Sequence, residues 1–277
     1  MDAYRIAYDG RPFYGFQRQP DVPTVEEALF DALRSLDVLD AAADTPPHYA
    51  AAGRTDAGVS ALGQVVAFEA PDWLTPAALN GDLPDSIRAW ARADASDGFH
   101  ATHDAAWRSY AYHCHAPAAD PGRAVDAAAR LEGTHDFHNL TTDDGDTTRT
   151  VQEASIDRDG DYLVFRVRAD GFCRHQVRRM ASLVAAVATG EASLSTVDRA
   201  LDPDPLPGPE GIPTAPAEPL VLLDVGYPDL DFAIDEDGAG ETRRAFGVRQ
   251  VRHRTAARLA GTIRDGVGAA GATRRDE

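Results

Sequence analysis

The chain has 277 residues, enough to bury a core and to form two subdomains, and its formal net charge at pH 7 is -18. It has no apolar run near the ~18 residues of a membrane helix and no signal-peptide pattern, so we expect a soluble, cytoplasmic protein. All 27 strong bases are arginine. This acidic, lysine-free composition favours adaptation to molar potassium salt, where charges are strongly screened, over an acidic protein that avoids nucleic acid. The net charge therefore does not exclude an RNA substrate.

The first half of the chain predicts strands mixed with helices. The elements are a strand over residues 4–8, a helix beginning after Thr24, a strand over residues 64–68 and a helix beginning near Thr75. Thr24 with Glu27 three residues later is typical of a capping box at a helix N-terminus. The stripe of Val25, Leu29 and Leu33 gives that helix one apolar face.

The second half repeats this plan. Its predicted elements are a strand over 109–115, a helix over 121–131, an acidic loop over 141–149, a strand around 163–168, a helix over 174–189 and a strand over 220–225. Strands and helices mixed twice over predict an α+β fold, with two related subdomains sharing a sheet. We divide the chain into residues 1–105, residues 106–228 and a tail over 229–277.

The tail begins acidic and then becomes basic. Its arginines are Arg243, Arg244, Arg249, Arg252, Arg254, Arg258 and Arg264. The simpler interpretation is a solvated helix with a frayed terminus. The alternative is an additional contact with an RNA backbone.

The most informative segment surrounds Asp56. Arg54 lies two residues before it, and Gly53 and Gly58 flank the pair. A nearby arginine keeps a carboxylate ionised, and glycines permit a tight turn and a close approach of substrate. Asp56 is therefore a candidate nucleophile, although a salt-bridged aspartate in a turn would give the same short pattern.

The longer string over residues 53–65, G-R-T-D-A-G-V-S-A-L-G-Q-V, resembles the catalytic loop of the tRNA pseudouridine synthase A family. The family pattern is G-R-T-D-x-G-V-H-x-x-x-Q-V, so Ser60 stands where most members carry histidine. Gln64 matches the glutamine of the pattern.

Two further motifs follow in the family's order. Residues 107–112, W-R-S-Y-A-Y, resemble the segment whose first tyrosine packs on the target base, and Tyr110 occupies that position. Residues 172–178, F-C-R-H-Q-V-R, resemble F-x-x-H-x-V-R, in which Arg178 matches the arginine that pairs with the nucleophile. Alone, these motifs would indicate ordinary strand packing and a basic surface helix. Weaker matches extend the resemblance over residues 4–228, with Pro219 where glycine is usual.

The resemblance implies a pseudouridine synthase fold, with a mostly antiparallel central sheet flanked by helices and a cleft between the halves. It implies isomerisation of uridine at tRNA positions 38, 39 and 40 by a homodimer that holds one tRNA across both subunits. The implied catalytic residues are Asp56, Arg178 and Tyr110, and the implied substrate-binding residues are Arg54, Tyr110, Phe172, His175 and Gln64. Attack by Asp56 at carbon 6 of the base or at carbon 1′ of the sugar remains open.

Other chemistry has little support. Histidines at 113, 115, 135 and 138 lack the further ligands of a structural zinc site, so we expect no metal. We expect no cofactor, because no phosphate-binding loop or dinucleotide motif is present and an isomerisation needs none. Cys114 and Cys173 are expected to be reduced thiols. Two alternatives stay open: a catalytically silent RNA-binding protein of this fold, and an acidic interaction module without an RNA partner.

Overall fold

The computed structural model describes residues 1–208 and 211–272, with side chains described up to residue 267. The strands are β1 (Asp2–Tyr8), β2 (Ala50–Ala51), β3 (Ser60–Phe68), β4 (Ile87–Asp94), β5 (Trp107–His115), β6 (Gly133–Asp136), β7 (Thr148–Asp159), β8 (Tyr162–Ala169), β9 (Leu220–Gly226) and β10 (Ala233–Ile234). The helices are α1 (Val25–Ser35), α2 (Pro76–Asn80), α3 (Pro121–Ala129), α4 (Gln176–Thr189), α5 (Leu194–Ala200) and α6 (Glu236–Ala272), with a 3₁₀ turn at His138–Leu140.

One sheet runs through both halves of the chain in the order β10-β4-β1-β3-β9-β5-β8-β7-β6, and β2 pairs with β3. Among the described strands, β3 and β9 pair in parallel and the other pairs are antiparallel. The predicted α+β class with a mostly antiparallel central sheet is confirmed.

Strand β9 joins the halves, because it lies between β3 and β5 although it comes late in the chain. It meets β3 at the pairs Ser60–Val221 and Ala61–Leu222, at the start of β3. Leu222 packs with the first-half hydrophobic cluster, whereas Val59 packs with the second-half cluster. The loop that precedes β3 therefore lies where the two clusters meet. The division into residues 1–105 and 106–228 stays a prediction.

Helix α1 forms where the capping pattern predicts it. The Thr24 side chain accepts a hydrogen bond from the Glu27 amide, and Val25, Leu29 and Leu33 are buried. The Glu27 carboxylate lies 3.6 Å from guanidinium nitrogens of Arg18 and Arg34. Of the two hydrogen bonds of a capping box, the described residues therefore show only the one from the Glu27 amide to the Thr24 side chain, because the Glu27 carboxylate pairs with arginine side chains.

Helix α4 begins at Gln176, two residues later than predicted. His175 has a φ of 63°, the left-handed conformation that ends any helix at that point. The Gln176 side chain accepts a hydrogen bond from the Cys173 amide at 2.7 Å, and Thr141 donates to the Arg174 carbonyl at 2.9 Å. These contacts stabilise a turn where the sequence predicts the first helical turn.

His135 and His138 do not share a helix. His135 lies in β6 and His138 begins the 3₁₀ turn, because this segment pairs with β7 as a sheet edge.

The tail forms β10 and the 37-residue helix α6, so the predicted helix is confirmed. A Cβ at Gly238 would lie 3.0 Å from the Ala89 carbonyl oxygen, which shows how closely the start of α6 packs on β4. From 250 to 267 every residue except Gly261 is exposed. The expected frayed terminus, residues 273–277, lies outside the described residues. No helix in the described part of the chain combines the length and apolarity that a bilayer crossing needs.

Candidate active site

Asp56 lies in a tight turn between β2 and β3. Its carbonyl accepts a hydrogen bond from the Val59 amide at 3.1 Å, and Gly58 has a φ of 84°, which a residue with a side chain rarely adopts. The Asp56 side chain is 31 % exposed. The turn therefore presents the carboxylate to solvent.

Neighbouring residues hold this turn in place. The Tyr8 hydroxyl lies 2.8 Å from Thr55 Oγ1, and the Phe16 amide donates to the Thr55 carbonyl at 3.0 Å. The Gly58 amide donates to the Phe13 carbonyl at 3.3 Å. Asp56 is thus anchored on both sides, which fixes its position without burying its carboxylate.

Gln64 lies beneath the loop and is fully buried. Its side-chain Nε2 donates to the Gly53 carbonyl at 2.8 Å, and its side-chain Oε1 accepts from the Val65 amide at 3.1 Å. In this geometry Gln64 supports the backbone before Arg54 and Asp56 instead of facing the site.

Ser60 occupies the position where the family pattern has histidine, and its hydroxyl accepts a hydrogen bond from the Gly10 amide at 3.1 Å. The loop after β1 is thereby tied to the start of β3.

Arg178 contacts Asp56 although the two residues are 122 positions apart. Its Nη1 donates to Asp56 Oδ2 at 3.0 Å, and its Nε donates to the Ala215 carbonyl at 2.7 Å. The Arg178 side chain is only 16 % exposed. One guanidinium thus binds both the carboxylate and the backbone of the connector before β9, because its N–H donors point in several fixed directions within one plane.

His175 approaches the same oxygen, with 3.4 Å between its Nε2 and Asp56 Oδ2. Burial lowers the pKa of His175, and this outweighs the opposite effect of the Asp56 carboxylate, while Arg178 lowers the pKa further. The imidazole is therefore neutral at pH 7. Its left-handed backbone is the kind of strain found at functional sites.

Tyr110 and Phe172 form an aromatic pair beside the turn. Their ring centroids are 5.3 Å apart at an interplanar angle of 88°, and both residues are half-buried. Burial raises the pKa of Tyr110 to about 12, Arg108 lowers it and the Asp56 carboxylate raises it further. The phenol is therefore protonated over the whole neutral range.

Arg54 is exposed, and among the described residues no ion pair to it is recorded. Its side chain is available to a ligand that enters beside Asp56.

Arg108 was not singled out by the sequence analysis. Its guanidinium donates to the carbonyls of Ala52 at 2.9 Å, Thr102 at 2.7 Å and Asp170 at 3.1 Å. It thus links the strand that enters the Asp56 loop to the end of β8. Its place directly before Ser109 and Tyr110 in the second motif was the only available signal.

The structure therefore brings Asp56, Arg178 and His175 together at one carboxylate oxygen. Within the described residues, no three histidine, cysteine, aspartate or glutamate side chains cluster as metal ligands would.

The family model described as tRNA pseudouridine synthase matches residues 127–228. Proteins named tRNA pseudouridine synthase A from Haloarcula marismortui and Methanothrix thermoacetophila are 56% and 39% identical to this chain. The alignments cover 96% and 95% of this chain and 100% and 96% of those proteins.

The chain belongs to the tRNA pseudouridine synthase A family. It is accordingly an isomerase that forms pseudouridine, as the motifs predict. The relative from Natronomonas pharaonis is also 56% identical, over 95% of this chain and 98% of that protein. The relatives from Haloarcula and Natronomonas come from halophilic archaea, in agreement with the salt-adapted composition. Among solved structures, a Cbf5-Nop10-Gar1 complex aligns at a TM-score of 0.38 and 14% identity, over 81% of this chain and 50% of that chain.

Proposed function

We propose that this member of the tRNA pseudouridine synthase A family converts uridine to pseudouridine in the anticodon arm of tRNA, with Asp56 as the reacting carboxylate. The 3.0 Å hydrogen bond from Arg178 to Asp56 is the observation that carries the proposal. It joins two sequence motifs at one partly exposed carboxylate and places a guanidinium beside the oxygen, an arrangement that orients a nucleophilic aspartate.

The reaction is an internal rearrangement. The bond between uracil N1 and carbon 1′ of the ribose breaks, the uracil turns, and carbon 5 bonds to carbon 1′. Carbon 5 then loses its proton and N1 gains one, so atoms and electrons balance without a cofactor. The Asp56 carboxylate either adds to carbon 1′, where it displaces N1 and is itself displaced when carbon 5 bonds to carbon 1′, or adds to carbon 6 of the base, from which it is eliminated after the new bond has formed. Both paths return the free carboxylate, and Arg178 orients it for either one.

Tyr110 and Phe172 would receive the target base once it leaves the RNA stack. A flat aromatic face that replaces lost stacking contributes about 1–3 kcal/mol per base. Because the Tyr110 hydroxyl is protonated at neutral pH, it would act as a hydrogen-bond donor or proton relay near carbon 5 and not as a phenolate.

Arg54 would occupy the position that the flipped nucleotide vacates, since its guanidinium is exposed next to Asp56. Neutral His175 would bind the substrate from the start of α4. Gln64 would act as a positioning residue beneath the loop, because it is fully buried.

We further propose that the protein works in the cytoplasm as a homodimer, with one tRNA lying across both subunits. Family membership supports this state. Light scattering in molar KCl should give the mass of a dimer, and the mass of a monomer would contradict it.

The substrate is tested with unmodified tRNA transcripts incubated in molar KCl, followed by chemical modification of pseudouridine and primer extension. We expect stops in the anticodon arm that disappear when the stopped uridine is replaced by cytidine. Stops confined to another arm would contradict the proposed target. Tight tRNA binding without any stop would indicate the catalytically silent RNA-binding protein.

A further inference from the structure

A groove lined by basic side chains lies between α6 and the body of the protein. One wall is formed by the first half of α6, and the other by the loop at residues 9–12 and the turn at residues 85–88. The arginines and the histidine that line it are Arg11, Arg88, Arg244, Arg249, Arg252 and His253.

The charge on this wall contrasts with the rest of the molecule. Seven of the 27 arginines lie within residues 243–264, which include no acidic residue, although the chain has a net charge of -18. Within the described part of the chain, no ion pair is recorded for five of these arginines: Arg243, Arg244, Arg252, Arg254 and Arg258. Their positive charge is available to a ligand.

The acidic side chains in the groove already have partners. Asp9, whose side chain is 7 % exposed, accepts from Arg11 at 2.8 Å and from Arg249 at 3.1 Å. Burial acts to raise the pKa of Asp9, but the hydrogen bonds and charge of Arg11, with the charge of Arg249, hold it below its usual value. Asp85 pairs with Arg88, and Glu241 accepts from Asn80.

Asp9 does not use all the hydrogen-bond donors of Arg249. Its Nη1 binds the Asp9 carboxylate, while its Nε is buried without a hydrogen-bond partner. A buried donor without a partner is costly, and an anion that enters the groove could satisfy it.

The groove lies one loop away from the proposed catalytic carboxylate. The loop that carries Asp9 and Arg11 also contains Phe13, whose carbonyl accepts from the Gly58 amide. A Cβ at Gly10 would lie 1.9 Å from the Val59 carbonyl oxygen, so the two loops are in direct backbone contact.

We propose that this groove binds the phosphodiester backbone of the tRNA whose uridine is at Asp56. The inference rests on the proposed function. Guanidinium groups bind phosphate oxygens through paired, charge-assisted hydrogen bonds, which tolerate high salt better than long-range attraction does. The position beside the Asp56 loop favours the substrate RNA over a second copy of this chain. Helix α6 thereby supplies positive charge to an acidic enzyme.

The test is the double variant Arg244→Gln/Arg252→Gln, in which both changed side chains are exposed groove residues. The matched control is Arg254→Gln/Arg258→Gln, which removes the same charge from two exposed residues of the same helix outside the groove. Filter binding to an unmodified tRNA transcript in KCl should show a Kd about tenfold higher for the groove variant, while the control stays within about twofold of wild type. The slope of log affinity against log salt should become shallower by about 1.5.

Several outcomes would overturn the groove assignment. Equal losses in both variants would assign binding to the general charge of α6, and unchanged binding in both would exclude a role of the groove. If light scattering shows that the groove variant has a different molar mass from wild type, and this change accounts for its weaker tRNA binding, the groove would be assigned to contact with a second copy of the chain. Circular dichroism should show that both variants keep α6.

Pseudouridine formation separates this proposal from the proposed function. In single-turnover assays the groove variant should need about tenfold more tRNA than wild type to reach half of its maximal rate, because its defect lies in tRNA binding. If wild type forms no product but its tRNA binding depends on the groove, the groove proposal would stand and the proposed reaction would be contradicted. If product forms and the groove variant binds tRNA with an unchanged Kd, the proposed reaction would stand and the groove proposal would be contradicted.

Discussion

The hydroxyl of Tyr110 stays protonated through the neutral range, because burial raises its pKa to about 12 and the Asp56 carboxylate adds to the shift. A raised phenol pKa means that the neutral form persists to higher pH than in water. The hydroxyl can therefore donate or relay a proton in any assay whose pH lies below the pKa of Tyr110. The ring, in contact with Phe172, can stack at any pH.

Replacing Tyr110 by phenylalanine should separate these two roles. We expect Tyr110→Phe to bind tRNA within about twofold of wild type and to lose about 100-fold or more in single-turnover rate, the usual contribution of a positioned proton-transfer group. The loss should be the same at about pH 7 and about pH 10, because the phenol does not ionise between them. Tyr162→Phe, at the exposed first residue of β8, is the control. A loss that grows with pH would contradict a neutral hydroxyl.

Which residues meet at the site was predictable only through the motifs. Asp56 and Arg178 are 122 positions apart, and no periodicity connects them. The parts played by Gln64 and Arg108 were not predictable, because both bind backbone carbonyls whose positions depend on the completed sheet. Local sequence carries no signal for such contacts.

At the scale of elements, the Asp56 turn depends on the loop after β1. The closest contact between them is at Gly10, where an added Cβ would overlap the Val59 carbonyl, whereas a Cβ at Gly53 would meet nothing within 4 Å. Position 10 therefore has no room for a side chain, whereas position 53 has.

Gly10→Ala should therefore displace the turn that holds Asp56. Steric overlap with backbone costs about 1–3 kcal/mol, which corresponds to a fall in Tm of roughly 2–5 °C for a chain of this size. Pseudouridine formation should fall as well. Differential scanning calorimetry is the measurement, and Gly53→Ala should keep the wild-type Tm. Equal Tm values for the two variants would show that the turn does not rest on Gly10.

Two elements with a regular apolar period were predicted, whereas the polar strand β7 was largely missed. Helix α1 and strand β8 carry regular apolar stripes, and the structure has both. Strand β7 was predicted in part as an acidic loop and otherwise missed, because its sequence TRTVQEASIDRD is mostly polar and exposed. Its pairing with β8 provides the stability that its own composition does not indicate.

At the scale of the whole molecule, the net charge of -18 makes the folded state dependent on salt. Self-repulsion within a compact acidic protein is strong when the Debye length is about 10 Å, as at 0.1 M salt, and weak when it is about 3 Å. The basic helix α6 relieves this repulsion only locally.

We therefore expect Tm to rise continuously as KCl increases from about 0.1 M to about 2 M, the range over which the Debye length falls to a few ångströms. Sucrose at matched osmolality is the control, since it favours compact states without screening charge. An equal rise in sucrose and in KCl would attribute the stabilisation to exclusion of solute and not to charge.

The most direct test of the account is Asp56→Asn, which keeps the size of the side chain and its hydrogen bond from Arg178 but removes the negative charge. With tRNA labelled by tritium at carbon 5 of uridine, wild type should release tritium as pseudouridine forms. The variant should bind tRNA with nearly the wild-type Kd and release no tritium in a single turnover. Release at a rate near that of wild type would show that Asp56 is not the reacting carboxylate.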